Sequence, residues 1–103
     1  MVFRILELTQ GNIDNAHLYL AGIMDLFPVE SVGGSSKREL GTLLEIHCGV
    51  MLPVLTDIAG DKKIFRKRSW LRHFFELHTM SAGNKVVIEK IGLNRYHVYP
   101  ARA

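Results

Sequence analysis

This chain of 103 residues has one cysteine, no long apolar run and no excess of acidic over basic residues. The single cysteine, Cys48, excludes an internal disulfide and is typical of a reducing compartment; we expect it to pack in the core. No apolar run approaches the roughly 20 residues that a membrane-spanning helix needs, so we expect no membrane partner. The opening MVFRILELT is interrupted by Arg4 and Glu7 and does not resemble a signal peptide, which favours a cytoplasmic protein.

The spacing of the reactive residues indicates no catalytic or metal-binding motif. His47 and Cys48 are adjacent, so in a strand they point to opposite faces and cannot share a metal. His73 and His78 are separated by a spacing that does not place them on one helical face. The glycines of VGGSS lack the strand-then-helix context of a phosphate-binding loop. We therefore predict neither catalytic residues nor a cofactor or metal in this chain.

The positive charge of the chain is concentrated in one segment. The composition, 48% hydrophobic and 22% charged, is ordinary for a globular protein, and the length predicts a single domain over residues 1–103. The formal net charge of +3 is mild, but the segment GDKKIFRKRSWLRHFF alternates basic with apolar and aromatic residues. Its cations are Lys62, Lys63, Arg66, Lys67, Arg68 and Arg72. Such a patch predicts an anionic partner.

The first third of the chain predicts short strands separated by loops. Alternation in VFRILELT predicts a strand near a sheet edge or a barrel mouth. HLYLAG is compatible with a second strand that points Leu18 and Leu20 inward. Between them, TQGNIDNA is rich in residues that favour loops and turns. After them we expect a helical turn in IMDLFPVE that ends at Pro28, then a flexible loop in SVGGSSK.

The next stretch, SKRELGTLLEIHCG, contains two conflicting signals. Ser36 and Glu39 have the spacing of a capping box, which favours a helix. Gly41 and the alternation of Leu44 with Ile46 favour a strand. We predict a strand over TLLEIHC, followed by a second strand in MLPVLTDI whose proline belongs on an edge or at a bulge.

The last third predicts one helix and a β-hairpin. Ser69 is expected to cap a helix that runs to about His78 and buries Trp70, Phe74 and Leu77. KVVIEKI and RYHVYPA follow as strands joined at GLN. The predicted fold class is mostly β (α+β), a small barrel that is open or closed, with two short helices.

The order of these features resembles a known family of DNA-binding domains. FRKRSWLRHFFELHTMSAGNKVVIEKIGLNRYHVYP is similar to the carboxy-terminal half of the B-three domain, or DNA-binding pseudobarrel. The family includes plant transcription factors of the auxin-response and abscisic-acid-response types and recognition domains of bacterial restriction endonucleases. LELTQGNIDNAHLYL and the following LFP resemble its amino-terminal half. Asn84 stands where the family usually has Asp.

The resemblance implies a seven-stranded open pseudobarrel that grips the major groove of double-stranded DNA with two arms. The first arm matches TQGNIDNAH and the second matches TDIAGDKKIFRKRS. Amides suit the adenine edge and arginines suit guanine, whereas other basic side chains neutralise phosphates. The expected contact residues are Gln10, Asn12, Asn15 and His17 in the first arm, and Asp57, Asp61, Lys62, Lys63, Arg66, Lys67 and Arg68 in the second.

Individual roles within the two arms follow from residue chemistry. We expect Arg66 and Arg68 to share one face of a strand and to read guanine. The lysines of the second arm, Lys62, Lys63 and Lys67, are expected to be phosphate contacts or solvated charges. Asp57 and Asp61 either accept from cytosine or cap turns. His17 either reads a base or covers the strand. The resemblance is compatible with a stand-alone regulator and with a recognition domain or subunit of a restriction endonuclease, whose nuclease would be another domain or chain.

Two other binding functions remain open from the sequence. A small barrel can bind single-stranded nucleic acid or RNA when aromatic side chains are exposed on adjacent strands. A basic patch can also dock an acidic protein partner. Binding to duplex DNA at rising salt, in competition with these partners, distinguishes the three functions.

Overall fold

A computed structural model of the chain describes residues 2–49 and 52–101. Within those ranges the protein has eight strands, two α-helices and three short 3₁₀ helices. The strands are β1 (Val2–Glu7), β2 (Val32–Gly33), β3 (Leu44–His47), β4 (Val54–Thr56), β5 (Ile58–Ala59), β6 (Ile64–Phe65), β7 (Lys85–Gly92) and β8 (Arg95–Pro100). The α-helices are α1 (Gln10–Asn15) and α2 (Ser69–Leu77), and the 3₁₀ helices are Ala21–Leu26, Val29–Ser31 and Lys37–Glu39. The predicted α+β class with mostly strands is confirmed; the predicted count of seven strands is not.

The strands form two sheets. The larger has the order β1-β7-β8-β3-β4, and the smaller has the order β2-β5-β6. Strands β3 and β8 pair in parallel, as do β2 and β5, whereas the other neighbours are antiparallel. The predicted edge position of β1 and the predicted β7–β8 hairpin are both confirmed. In the turn before β7, the side-chain oxygen of Asn84 accepts from the backbone of Ser81 at 2.8 Å, so the amide supports that turn.

One hydrophobic core joins both sheets to α2. It includes Ile46 and Tyr96 from the large sheet, Phe65 from the small sheet, and Phe74 from α2. The Tyr96 hydroxyl donates to the carbonyl of Leu26 at 2.8 Å, and burial raises the pKa of Tyr96 to about 12. The predicted core position of Cys48 is also confirmed, since it is 3% exposed.

The first arm is helical where a loop was predicted. Thr9 accepts from the backbone of Asn12, and the Asn12 side chain accepts from the backbone of Thr9, which completes a capping box for α1. Ala16 ends the helix in the left-handed conformation. The loop prediction was wrong because Asn and Gln were counted as turn residues, although Asn12 here satisfies a helix terminus.

The following segment, residues 17–20, is not a strand, so that prediction is also wrong. Its inward residues were predicted correctly, because Leu18 and Leu20 are 1% and 0% exposed. The backbone N–H of Leu20 donates to the carbonyl of Lys63 at 2.8 Å. This single bond ties the chain after the first arm to the second arm without extending a sheet.

The ambiguous middle of the chain is resolved in favour of strands. TLLEIHC forms β3 over Leu44–His47, as predicted. The hydroxyl of Ser36 bonds to the Glu39 side chain and caps no helix; the residues between them form one 3₁₀ turn. The predicted flexible loop SVGGSSK contains the short strand β2. Gly33 in this strand lies so close to the Asp57 side chain and the Glu39 carbonyl that a Cβ there would clash with both.

Helix α2 begins at Ser69 as predicted, but its capping and its buried face differ. Arg68 occupies the N-cap position, and no side chain there bonds to the helix terminus. Trp70 is buried, as expected, and its indole N–H donates to the Lys67 carbonyl at 2.7 Å. Leu77 is 58% exposed, and Leu71 packs in the core in its place. The apolar face is therefore rotated relative to the prediction.

Candidate nucleic-acid interface

The β5–β6 hairpin presents the cations of the second arm at its tip. Residues Gly60–Lys63 form the turn, and the backbone N–H of Lys63 donates to the carbonyl of Ala59 at 2.7 Å. Lys63 adopts a positive φ of 54°, and Asp61, Lys62 and Lys63 are all exposed. Both residues of β5 and both residues of β6 are buried, so packed strands hold the turn in place.

Two of the expected contact residues instead form an internal ion pair. The Arg66 Nε atom lies 2.6 Å from Asp57 Oδ1, and an Arg66 Nη2 atom lies 3.0 Å from Asp57 Oδ2. The same Nη2 atom donates to the carbonyl of Gly34 at 2.8 Å, and the backbone of Gly41 donates to Asp57 at 2.8 Å. The side chains of Asp57 and Arg66 are only 1% and 15% exposed. The pair thus connects three segments: the residue that follows β2, the residue between β4 and β5, and the chain that follows β6.

The pKa of Asp57 reflects this environment. Burial by itself raises the pKa, but the Arg66 hydrogen bond, the Gly41 backbone hydrogen bond and the Arg66 charge together lower it below its ordinary value. The expected shared strand face of Arg66 and Arg68 is wrong, because β6 ends at Phe65 and both arginines follow it. The demand of the buried Asp57 carboxylate for a partner directs Arg66 inward.

The amides of the first arm divide into one buried and two exposed side chains. Asn12 is 5% exposed and belongs to the capping box, so it serves the helix rather than the surface. Asn15 is exposed, and its Nδ2 donates to the Gly11 carbonyl at 3.0 Å. Gln10 is exposed and donates to Asp14 at 2.9 Å. Asn15 and Gln10 can each exchange these local bonds for an external partner.

A cleft of about 430 Å³ lies where the two arms meet. We call it the Tyr19 cleft; it is lined by Asn15, His17, Tyr19, Lys62, Ile64 and Arg68. The sequence assigned Asn15 and His17 to the first arm and Lys62 and Arg68 to the second. The structure brings these four expected contact residues together.

His17 forms the polar wall of the Tyr19 cleft. It is 8% exposed, its ring centroid lies 4.4 Å from that of Tyr19, and its Nε2 has no hydrogen-bond partner among the described residues. Burial, and then the charges of Arg68 and Lys62, lower the pKa of His17. Tyr19 itself is 57% exposed. The cleft therefore combines an accessible aromatic ring with a neutral imidazole and two cations.

Two further clefts adjoin the Tyr19 cleft through Arg68. One, of about 340 Å³, is lined by Asn15, Ser69 and Arg72 as well as Arg68. The other, of about 250 Å³, is lined by Lys37, Asp61 and Arg66, and it shares Lys62, Ile64 and Arg68 with the Tyr19 cleft. We define the basic surface as Lys37, Lys62, Arg68 and Arg72. Arg68 lines all three clefts, which makes this surface continuous.

The sequence interpretation missed three residues of this interface. Tyr19 lies between the inward residues Leu18 and Leu20, and that alternation is a signal of its exposure that could have been used. Arg72 belongs to the basic segment but lies outside the stretch TDIAGDKKIFRKRS that was matched to the second arm. Lys37 joins the basic surface only through tertiary packing, and the residues around it in the sequence do not indicate this position.

Comparison with known proteins does not identify the chain. No protein-family model, curated protein or solved structure matches it. Within residues 2–49 and 52–101, no group of three or more His, Cys, Asp and Glu side chains is placed to hold a metal ion. None of the helices in those ranges has the length and apolar character needed to cross a membrane.

Proposed function

We propose that this chain is a pseudobarrel domain that binds double-stranded DNA sequence-specifically through two arms. The observation that carries the proposal is the Tyr19 cleft, where the amide-bearing first arm meets the cationic second arm. Amides and arginine forks are the side chains that read base edges, and neighbouring cations neutralise phosphates. The two sheets around one core are compatible with a pseudobarrel, and its open form is part of this proposal.

The packing narrows the set of contact residues. Four residues remain candidates for base readout: Gln10, Asn15, His17 and Arg68. Lys62, Lys63 and Lys67 remain candidates for phosphate contact, and Lys37 and Arg72 join them because they line the adjoining clefts. Asp61 stays at the exposed turn as the acidic candidate. Asn12, Asp57 and Arg66 position the two arms, because the Asn12 side-chain oxygen, the Asp57 carboxylate and the Arg66 guanidinium bond inside the protein.

The electrostatic part of the proposal is tested by the salt dependence of binding. Duplexes would first be selected from a random pool, and affinity for one of them would then be measured at several salt concentrations. We expect log affinity to fall linearly with log salt, and Lys62→Ala to reduce the slope by roughly 0.9 for one lost phosphate contact. Lys90→Ala removes an exposed charge outside the three clefts and should leave the slope unchanged.

The readout part is tested by exchanging the shape of the side chain and keeping its charge. Arg68→Lys should weaken binding to the selected duplex by about 1–3 kcal/mol, and much less to a scrambled duplex, because lysine lacks the planar fork that meets guanine. Asn15→Ala should likewise weaken binding to the selected duplex more than binding to the scrambled duplex, and this substitution does not change the charge. Equal losses on both duplexes would mean that these residues only position the protein and that bases are read elsewhere.

The same measurements separate the competing functions. Selection of single strands or RNA over duplexes would favour the single-strand function, and salt-sensitive binding to an acidic protein without any duplex affinity would favour a protein-interaction module. DNA cleavage is not expected from this chain alone. A stand-alone regulator and a nuclease-associated recognition domain are both compatible with the proposal.

A further inference from the structure

We infer that the Tyr19 cleft holds a single unstacked nucleotide of the bound DNA. This inference rests on the proposed function and assigns a ligand to one part of the interface. Its volume of about 430 Å³ lies within the range of roughly 300–1,000 Å³ that is typical of small-ligand pockets. An exposed cation is sufficient to contact a phosphate of a regular duplex. A cleft of this size has room for a larger group, such as a whole nucleotide.

The walls of the cleft suit the apolar faces of a nucleobase. The Tyr19 ring is 57% exposed, and Ile64 provides an apolar surface in the same cleft. Exposed aromatic rings are the usual stacking partners of unpaired bases, because every base offers a π-face once it leaves the helical stack. The bases of an intact duplex stack on each other and present only their edges to a protein.

The polar groups of the cleft suit the remaining parts of a nucleotide. Asn15 Nδ2 makes a local bond to Gly11, and its side-chain oxygen can accept from a base edge. The His17 ring lies 4.4 Å from the Tyr19 ring, and its buried Nε2 atom has no hydrogen-bond partner among the described residues, so a small shift of His17 would let Nε2 bond to the bound nucleotide. Lys62 completes the cleft with a positive charge for an adjoining phosphate, and the planar fork of Arg68 can bond to a base edge.

The experiment compares three duplexes of one sequence: fully paired, with a single 2-aminopurine bulge, and with an abasic bulge at the same place. The abasic duplex has the same number of phosphates and the same bulge position but no base, so it is the control for the flexibility of the backbone. We expect the wild-type chain to bind the 2-aminopurine duplex roughly tenfold more tightly than the abasic duplex, with a change in 2-aminopurine fluorescence on stacking.

Variants locate the effect in the cleft. Tyr19→Ala should abolish the preference for the base-containing bulge over the abasic bulge, and Tyr19→Phe should retain it. Phe3→Ala is the matched control, since Phe3 is 47% exposed on β1, outside the cleft. A melting curve for each variant establishes that it is folded.

The possible results separate this inference from the proposed function. Binding of all three duplexes with equal affinity, or a preference that survives in Tyr19→Ala, overturns the cleft assignment and leaves DNA binding in place. Failure to bind any duplex overturns the proposed function and the assignment with it. A preference that disappears in Tyr19→Ala, but not in Phe3→Ala, supports both.

Discussion

Arg66 and Arg68 lie in the same basic run, yet the structure gives them opposite environments. The Arg66 side chain is 15% exposed, bonds to Asp57 and the Gly34 carbonyl, and borders only the smallest of the three clefts. Arg68 is exposed and lines all three clefts. The difference arises from the partner: one buried carboxylate requires one cation. Charge in a sequence segment therefore contributes either to the interior or to a binding surface, and the tertiary partner decides which.

The largest expected effect tests whether the two arginines really differ. Arg66→Ala leaves the Asp57 carboxylate buried without its cation, so we expect the free energy of unfolding to fall by about 3–5 kcal/mol. Arg68→Ala removes an exposed charge and should change it by no more than about 0.5 kcal/mol. Urea denaturation of both variants measures these values. Similar stabilities for the two variants would remove the distinction between the buried pair and the basic surface.

The pH dependence of stability sharpens the same comparison. The folded-state pKa of Asp57 is lowered from its ordinary value of 3.8, so its contribution is fully present above about pH 3.8 and is lost as pH falls through the lower, folded-state pKa. We expect wild type to be more stable than Asp57→Asn at pH 7, with the difference shrinking below pH 3.8. Urea titrations at several pH values would measure it. A difference that grows on acidification would contradict this origin.

A smaller effect should distinguish the two asparagines of the first arm. Asn12→Ala removes the side-chain half of the capping box, and we expect a loss of about 1 kcal/mol in the free energy of unfolding. Asn15→Ala should change stability less, because the hydrogen bond of its side chain to the Gly11 carbonyl is exposed to solvent. Thermal or urea unfolding measures both. A stability loss for Asn15 equal to that for Asn12 would mean that both amides are structural.

The smallest expected effect concerns the lysines outside the clefts. Lys63 and Lys67 are exposed but line none of the three clefts, so alanine variants should reduce the salt slope by less than the roughly 0.9 expected for Lys62→Ala. Slopes from parallel salt titrations provide the comparison. Equal reductions for all three lysines would extend the DNA interface beyond the basic surface.

Much of the fold was predictable because local patterns and tertiary packing agree. Period-two alternation predicted β1, and the hairpin signal GLN between two apolar stretches predicted β7 and β8. The stretch TLLEIHC was assigned to a strand despite its competing capping signal. The first arm was not predictable in the same way. Asn12 favours a turn in isolation, and only its reciprocal bond with Thr9 turns the segment into a helix.

The sequence by itself determined the α+β class, the hairpin at the end of the chain and the concentration of cations in one segment. These features depend on side-chain periodicity and composition, which are local properties. The tertiary structure decided which polar side chains are available for binding. Asp57 bonds to Gly41 and Arg66, and Arg66 also reaches Gly34; this placement decides that Arg66 is internal and Arg68 external. The reason is physical: a buried charge must be paired, and its partner is supplied by whichever distant segment the fold brings within hydrogen-bonding distance.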